Sequence, residues 1–296
     1  MAEQEMYFRP PSEVESFIIR VMHGCPHNKC TFCNLFKKVP YRPIPLKEIF
    51  AGIDQDAVDL GTESVKFVTS MYLEGGDPLA LPTDDLVFIM EYAKSKFPEL
   101  TRFACYATAL YTGMKTVDEL KRLREAGLTR IFVGLESGSD IILKKTHKGC
   151  TSDDIRRVAA SLKEAGIEMD VSMMLGIGGT ELSRRHAVET AKLLNDIEPD
   201  TVRIRTYMPK NETELGEEFR RGEFSRMDPY EVLNELRLMV HYIDGSMQLL
   251  SEHWSDYCLF NAFMPAAKPQ LLKHIDETLA QPEDSFYTVE LNSERA

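Results

Sequence analysis

Short apolar runs recur along the chain with longer helical stretches between them: SFIIRVM (16–22), SVKFVTS (64–70), TRFACYA (101–107), TRIFVGLE (129–136), MDVSMML (169–175) and TVRIRTY (201–207). Runs of this kind, rich in Val, Ile, Phe and Tyr, read as strands, and their alternation with helices predicts βα units around a parallel sheet. Helix starts are also legible. Thr116 with Glu119 makes a capping-box pattern, Thr151 with Asp154 a weaker one, and Asp228, Pro229 and Glu231 read as N-cap, first-turn proline and N3 acid. REAGLTRIFV (124–133) and KEAGIEMDVS (163–172) echo one another, each a helix closed by a glycine, Gly127 or Gly166, before a strand. With right-handed crossovers, six such units curl into a partial (β/α)6 TIM-like barrel whose working face lies at the C-terminal strand ends. A doubly wound open sheet satisfies the same periodicity.

The pattern changes after about residue 210. KNETELGEEFRRGEF leads to a helix over 228–244, an irregular stretch over 246–266 and a last helix near 268–280. The expected organisation is a barrel over residues 1–210 and a mainly helical extension over 211–296 that closes it. With 43% hydrophobic residues, the 296-residue chain can bury a full core; LVFIM (86–90) suits a buried helix face. The N-terminal MAEQEMYFRPPSE has no apolar region of a signal peptide and no run reaches eighteen apolar residues, so a cytoplasmic protein without a membrane span is expected. A formal charge of −12 argues against nucleic acid as a partner, because phosphate backbones are bound by Lys and Arg.

Chemistry concentrates in GCPHNKCTFC (24–33), where Cys25, Cys30 and Cys33 fall within one loop after the first strand. Clustered thiolates suit zinc or an iron–sulfur cluster. A structural zinc needs a fourth ligand, which His23 or His27 would have to supply, whereas a cubane held by three cysteines keeps one iron open. Cys105, Cys150 and Cys258 are isolated, so neither a disulfide framework nor an auxiliary cluster is expected.

This loop resembles the cluster loop of the radical S-adenosylmethionine (SAM) superfamily, although four residues, not the usual three, separate the first two cysteines. The resemblance implies a [4Fe-4S] cluster on Cys25, Cys30 and Cys33, with SAM chelating the fourth iron and Phe32 packing near the adenine. YLEGGDP (72–78) is similar to the superfamily's GGEP-type loop, which places Gly75, Gly76 and Asp77 near the methionine ammonium. VGLESGSDIILKKTHKGCT (133–151) is similar to the branch of oxygen-independent coproporphyrinogen oxidases, methylthiotransferases and the elongator catalytic subunit. In that branch the strand-end polar residue, here Glu136, meets the ribose hydroxyls, and the basic residue before G-x-T, here Lys148, meets the methionine carboxylate. SMMLGIGGTE (172–181) resembles the turn beside the adenine, bringing in Ser172 and Gly176. Some relatives carry an acid after the third strand, where this chain reads CYATAL (105–110), so ribose recognition leans on Glu136. The likeness spans about residues 16–210.

The function implied is reductive cleavage of SAM and hydrogen abstraction from a small or medium-sized organic substrate, with a ferredoxin- or flavodoxin-type reductant. Lys29, Lys37, Lys38 and Arg42 surround the cysteine loop in sequence and are candidates for steering such an acidic donor. Arg203 and Arg205 alternate along the sixth strand and so share one side, interior or helix layer. On the interior they would bind a carboxylate or phosphate; Tyr72, Tyr207, His253 and Trp254 are further candidates for a substrate wall. Two other readings stay open: a tRNA-modifying enzyme of the same superfamily, and a noncatalytic iron–sulfur or zinc module.

Overall fold

Six strands answer to the six apolar runs in the structure, a computed structural model that describes residues 7–290: β1 Phe17–Arg20, β2 Ser70–Glu74, β3 Arg102–Ala107, β4 Leu128–Glu136, β5 Glu168–Leu175 and β6 Thr201–Thr206. The second is displaced from its expected span of 64–70, most of which is taken by the end of α1 (Leu46–Ser64) and a 3-10 turn at Val65–Phe67. The apolar residues of SVKFV do not face a core, since Phe67 is 83% exposed; Met71 to Glu74 are buried without a break, the signature of a strand covered on both faces.

The helices begin where the capping signals place them. After α2 (Thr83–Lys96), which buries Leu86, Ile89 and Met90 of the LVFIM run, α3 (Val117–Ala126) opens on a complete Thr116–Glu119 capping box and ends on Gly127 at φ 114°. A short α4 (Asp140–Lys145) precedes α5 (Ser152–Ala165), at whose start Thr151 and Asp154 bond reciprocally. The remaining long helices are α6 (Gly179–Ile197), α7 (Pro229–Tyr242), with its own Asp228–Glu231 capping box, and α8 (Lys268–Leu279).

The chain divides into two compact units, and the division falls inside β4, between Val133 and Gly134. One unit takes the chain up to Asn28, Phe36–Val133 and Ser161–Glu168; the other takes Lys29–Leu35, Gly134–Ala160 and the chain from Met169 on. In the first, β1 pairs with β2, β2 with β3 and β3 with β4, all parallel, in registers such as Ile18 with Tyr72 and Tyr106 with Phe132. In the second, β5 and β6 are parallel, with Ser172 opposite Arg203 and Met174 opposite Arg205.

The stretch 246–266, expected to be irregular, holds two more strands: β7 (Met247–Ser251), parallel to β6, and β8 (Phe260–Met264), antiparallel to β7. The extension therefore continues the sheet of the second unit as well as supplying α7 and α8. Within this unit the strand residues sort into two faces. Val171, Met173, Leu175, Val202 and Ile204 are fully buried, whereas Ser172, Met174, Arg203 and Arg205 form a half-buried stripe on the other side. α6 packs against α7 and α7 against α8. No helix among the described residues is long and apolar enough to cross a membrane.

Candidate functional site

The cysteine loop starts in the first unit, pressed against the loop after β2. The Gly76 N–H donates to the Gly24 carbonyl at 3.1 Å, and a side chain at Gly76 would meet the Cys25 Cα at 2.4 Å, so only glycine permits this approach. The chain then turns back at Asn28, whose φ of 43° suits asparagine and whose N–H reaches the Cys25 sulfur at 3.4 Å. Asp77 is fully buried, and its carboxylate accepts from the Leu79 N–H at 3.2 Å and from the Thr108 N–H and hydroxyl at 2.7 and 2.6 Å. That carboxylate holds the loop to the end of β3. Tyr72 is packed against Ala104, Tyr106 and Phe132, and burial pushes its phenol well above the ordinary value.

Cys30, Phe32 and Cys33 belong to the second unit. Their segment is held on both sides by backbone bonds, from the Thr31 N–H to the Thr146 carbonyl at 3.0 Å and from the Leu215 N–H to the Thr31 carbonyl at 2.9 Å. Phe32 is buried with Ile142, Ile177, Tyr207, Leu215 and Phe224, and the two cysteines lean on this cluster half-buried. Tyr207 closes it, its ring edge-on to Phe224 at 5.6 Å. Ile177 comes from the turn after β5, where Gly176 takes φ 75°.

Beside the cluster lies a buried ion pair. Lys148 Nζ is 3.0 Å from Glu136 Oε1, with side-chain exposures of 6% and 11%, and 5.7 Å from the Phe32 ring centroid. Burial alone would lower the Lys148 ammonium, but Glu136 and the Cys30 thiol outweigh it and the ammonium is held above its ordinary value. Glu136 sits at φ 60°, in the left-handed region that a non-glycine residue occupies only under constraint. Gly134 makes room for the pair, since a Cβ there would lie 2.6 Å from the carboxylate and 2.8 Å from the ammonium.

Ser172, Arg203 and Arg205 lie along the half-buried stripe of β5 and β6, on the side away from the fully buried face. Arg203 approaches the buried Asp170 at 4.0 Å, longer than a hydrogen bond. Past the end of β7, the His253 Nδ1 meets the Ser255 hydroxyl at 2.8 Å; burial first, then Arg205 and Lys210, push the imidazole down to about 4 and keep it neutral at pH 7. Trp254 is partly exposed beside it, with ring centroids 5.1 Å apart.

Among the described residues no three Cys, His, Asp or Glu side chains converge on one point as ligands of a single ion do. Thiolates bonded to separate irons of a cubane need not share such a point. Three cysteines within one loop, and a buried ammonium–carboxylate pair, are donors of the kind that a cluster carrying a zwitterionic nucleoside calls for. Sequence reasoning did not single out Gly134, although it lies within the VGLES stretch, or two buried polar residues on helices, His186 and Glu235.

The profile of the radical SAM superfamily matches residues 19–194, and the chain belongs to that superfamily. It is an enzyme of this class, and its cofactors are a [4Fe-4S] cluster and SAM. Among curated proteins it is 24% identical over 243 residues to the tRNA uridine(34) acetyltransferase of Methanocaldococcus infernus, covering 68% of this chain and 44% of that one. It is 23% identical over 208 residues to the heme chaperone HemW of Bacillus subtilis, covering 64% and 54%. The chain thus spans about half the length of these curated relatives. Coproporphyrinogen III oxidase (HemN) from Escherichia coli superposes with a TM-score of 0.56 at 13% identity, covering 77% of this chain and 51% of that one. Methylornithine synthase (PylB) gives 0.53 at 16%, covering 88% and 68%. Identities this low establish the fold.

Proposed function

We propose that Cys25, Cys30 and Cys33 hold the [4Fe-4S] cluster, and that SAM is held by Lys148 at its carboxylate, Glu136 at its ribose hydroxyls and the Gly75–Gly76 backbone at its ammonium. Phe32, Ser172 and the Gly176 turn flank the adenine, and Asp77 acts indirectly by fixing the glycine loop. When bound, these groups supply reductive cleavage of SAM and hydrogen abstraction from an organic substrate. The protein's own part is to bind, orient and keep water out. The observation that carries the reading is the Glu136–Lys148 pair: two charges buried beside a cluster cysteine and an aromatic ring, each able to exchange its present partner for a complementary group of SAM.

The substrate is a small or medium-sized molecule bearing a carboxylate or phosphate, met by Arg203 and Arg205 with the neutral His253 as a hydrogen-bonding neighbour and Tyr207 as a wall. Anaerobic reconstitution with iron and sulfide, reduction by dithionite and assay for 5′-deoxyadenosine tests the core of the proposal. Product from the wild type and none from Cys30→Ala is expected; coloured protein that never cleaves SAM would point instead to an electron carrier.

A second reading has its own observation. Relatives named for tRNA uridine(34) acetylation and for tRNA 2-methylthio-N(6)-dimethylallyladenosine synthesis match most of this chain. On that reading the substrate is a tRNA base, and binding of tRNA at physiological salt separates it from the first.

A further inference from the structure

Two helix positions of the second unit that face a core carry polar side chains. Glu235, on α7 among the buried Val232, Leu236 and Met239, is 2% exposed, and His186 on α6 is fully buried. A buried carboxylate and imidazole are costly unless their geometry is used. Here it is used at both ends. Glu235 Oε1 accepts the Gly176 N–H at 2.8 Å, fastening the turn after β5, and packs 3.8 Å from His186 Nε2, beyond the length of a hydrogen bond. On the other side of the ring, His186 Nδ1 meets the Ser137 hydroxyl at 2.8 Å and the Thr190 hydroxyl at 3.2 Å.

From there the chain of bonds enters the turn after β4. Thr190 Oγ1 accepts the Gly138 N–H at 2.9 Å, Ser137 Oγ accepts the Ser139 N–H at 3.0 Å, and the Ser137 N–H closes back on the Leu135 carbonyl at 2.8 Å. Gly138 is pressed so closely on α6 that a Cβ would lie 2.6 Å from the Glu189 carbonyl oxygen and the Thr190 Cα. Glu136 lies inside this clamp, which accounts for its left-handed backbone.

We propose that Glu235 and His186 are positioning residues for SAM, a buried pair in packing contact, of which Glu235, from the C-terminal extension, fixes the Gly176 turn and His186 fixes the turn that aims the Glu136 carboxylate. The proposal rests on the roles given above to Glu136 and Gly176, and on no contact between the pair and SAM. Polar groups that support a binding residue from behind are a general means of setting its orientation.

The test uses the full chain with two readouts. Amide hydrogen exchange is followed by mass spectrometry at 135–139 and 174–179 in protein as purified, and the dissociation constant of SAM is measured on reconstituted protein. Glu235→Leu is expected to speed exchange at 174–179 and to weaken SAM binding on the order of tenfold, the scale on which supporting groups act. Glu235→Gln keeps an acceptor oxygen for Gly176 and is expected to restore both to near the wild-type values. Ser137→Ala, a small change in volume, is expected to speed exchange at 135–139 and weaken SAM binding similarly. Exchange and affinity unchanged in Glu235→Leu and Ser137→Ala would overturn the proposal, as would failure of Glu235→Gln to rescue; where the leucine variant does not fold, the glutamine and alanine variants decide. Failure of the wild type to bind or cleave SAM would strike the cofactor reading and leave the exchange results to judge the clamp.

Discussion

At the scale of single residues, the Glu136–Lys148 pair sets a double demand, because removing one partner strands the other charge in a buried site. Lys148→Met should therefore cost about 3–5 kcal/mol of stability in urea unfolding, the usual penalty for breaking a buried pair, as well as SAM affinity. Replacing both, Glu136→Leu with Lys148→Met, should recover most of the stability without recovering SAM binding. A double variant as unstable as the single one would show that the pair does more than neutralise itself.

Glu235 allows a pH prediction whose sign is fixed by burial, which raises its carboxyl from the ordinary 4.5 to about 7. A raised acid pKa means that its favourable contribution is complete below pH 4.5 and is lost as pH rises through 7. His186, lowered by burial from 6.5 to about 4, acts in the opposite sense: its contribution is complete above pH 6.5 and is lost as pH falls through 4. Glu235→Gln removes only the first dependence, so between pH 5 and 8 the variant should gain on the wild type by roughly 2–3 kcal/mol, most of the free energy of that shift. Parallel stability curves would show that Glu235 does not titrate as its burial dictates. The residue scale is also where sequence reading reached unevenly. Cys25, Cys30, Cys33, Phe32, Glu136 and Lys148 stand at motif positions, whereas the need for Glu235 and His186 arises only when segments distant in sequence meet.

At the scale of elements, helix boundaries were the most legible feature, because a cap is a local device: the chemistry of Thr116 with Glu119 and of Asp228 with Glu231 is complete within four residues. Strands were harder, because they are defined by partners. MQLLS and FNAFM contain no β-branched residue, and nothing local marks them as β7 and β8; pairing with β6 and with each other does. The second strand was misplaced because VKFV is apolar without being buried. The cap of α7 bears on function, since this helix carries Glu235. Asp228→Ala should cost about 1 kcal/mol in urea unfolding. A loss near zero would mean that packing against α6 and α8 alone holds the start of the helix.

At the scale of the whole molecule, the charge of −12 acts on every encounter. An acidic reductant approaching an acidic protein is repelled at long range, and salt relieves that repulsion, so without a local exception the rate of cluster reduction rises with ionic strength. The exposed Lys29, Lys38 and Arg42 offer such an exception near the cysteines in sequence; Lys37 is a poorer probe because its ammonium is 3.3 Å from the Asn28 carbonyl, and changing it would disturb the turn. If these cations steer a ferredoxin or flavodoxin, reduction of the reconstituted enzyme should slow as salt is raised. Lys38→Glu with Arg42→Glu should then lower the rate at low salt and reverse the trend, while dithionite, a small reductant, reduces both proteins alike. A wild-type rate that climbs with salt would remove these side chains from the docking surface and place the electron's entry elsewhere on the molecule.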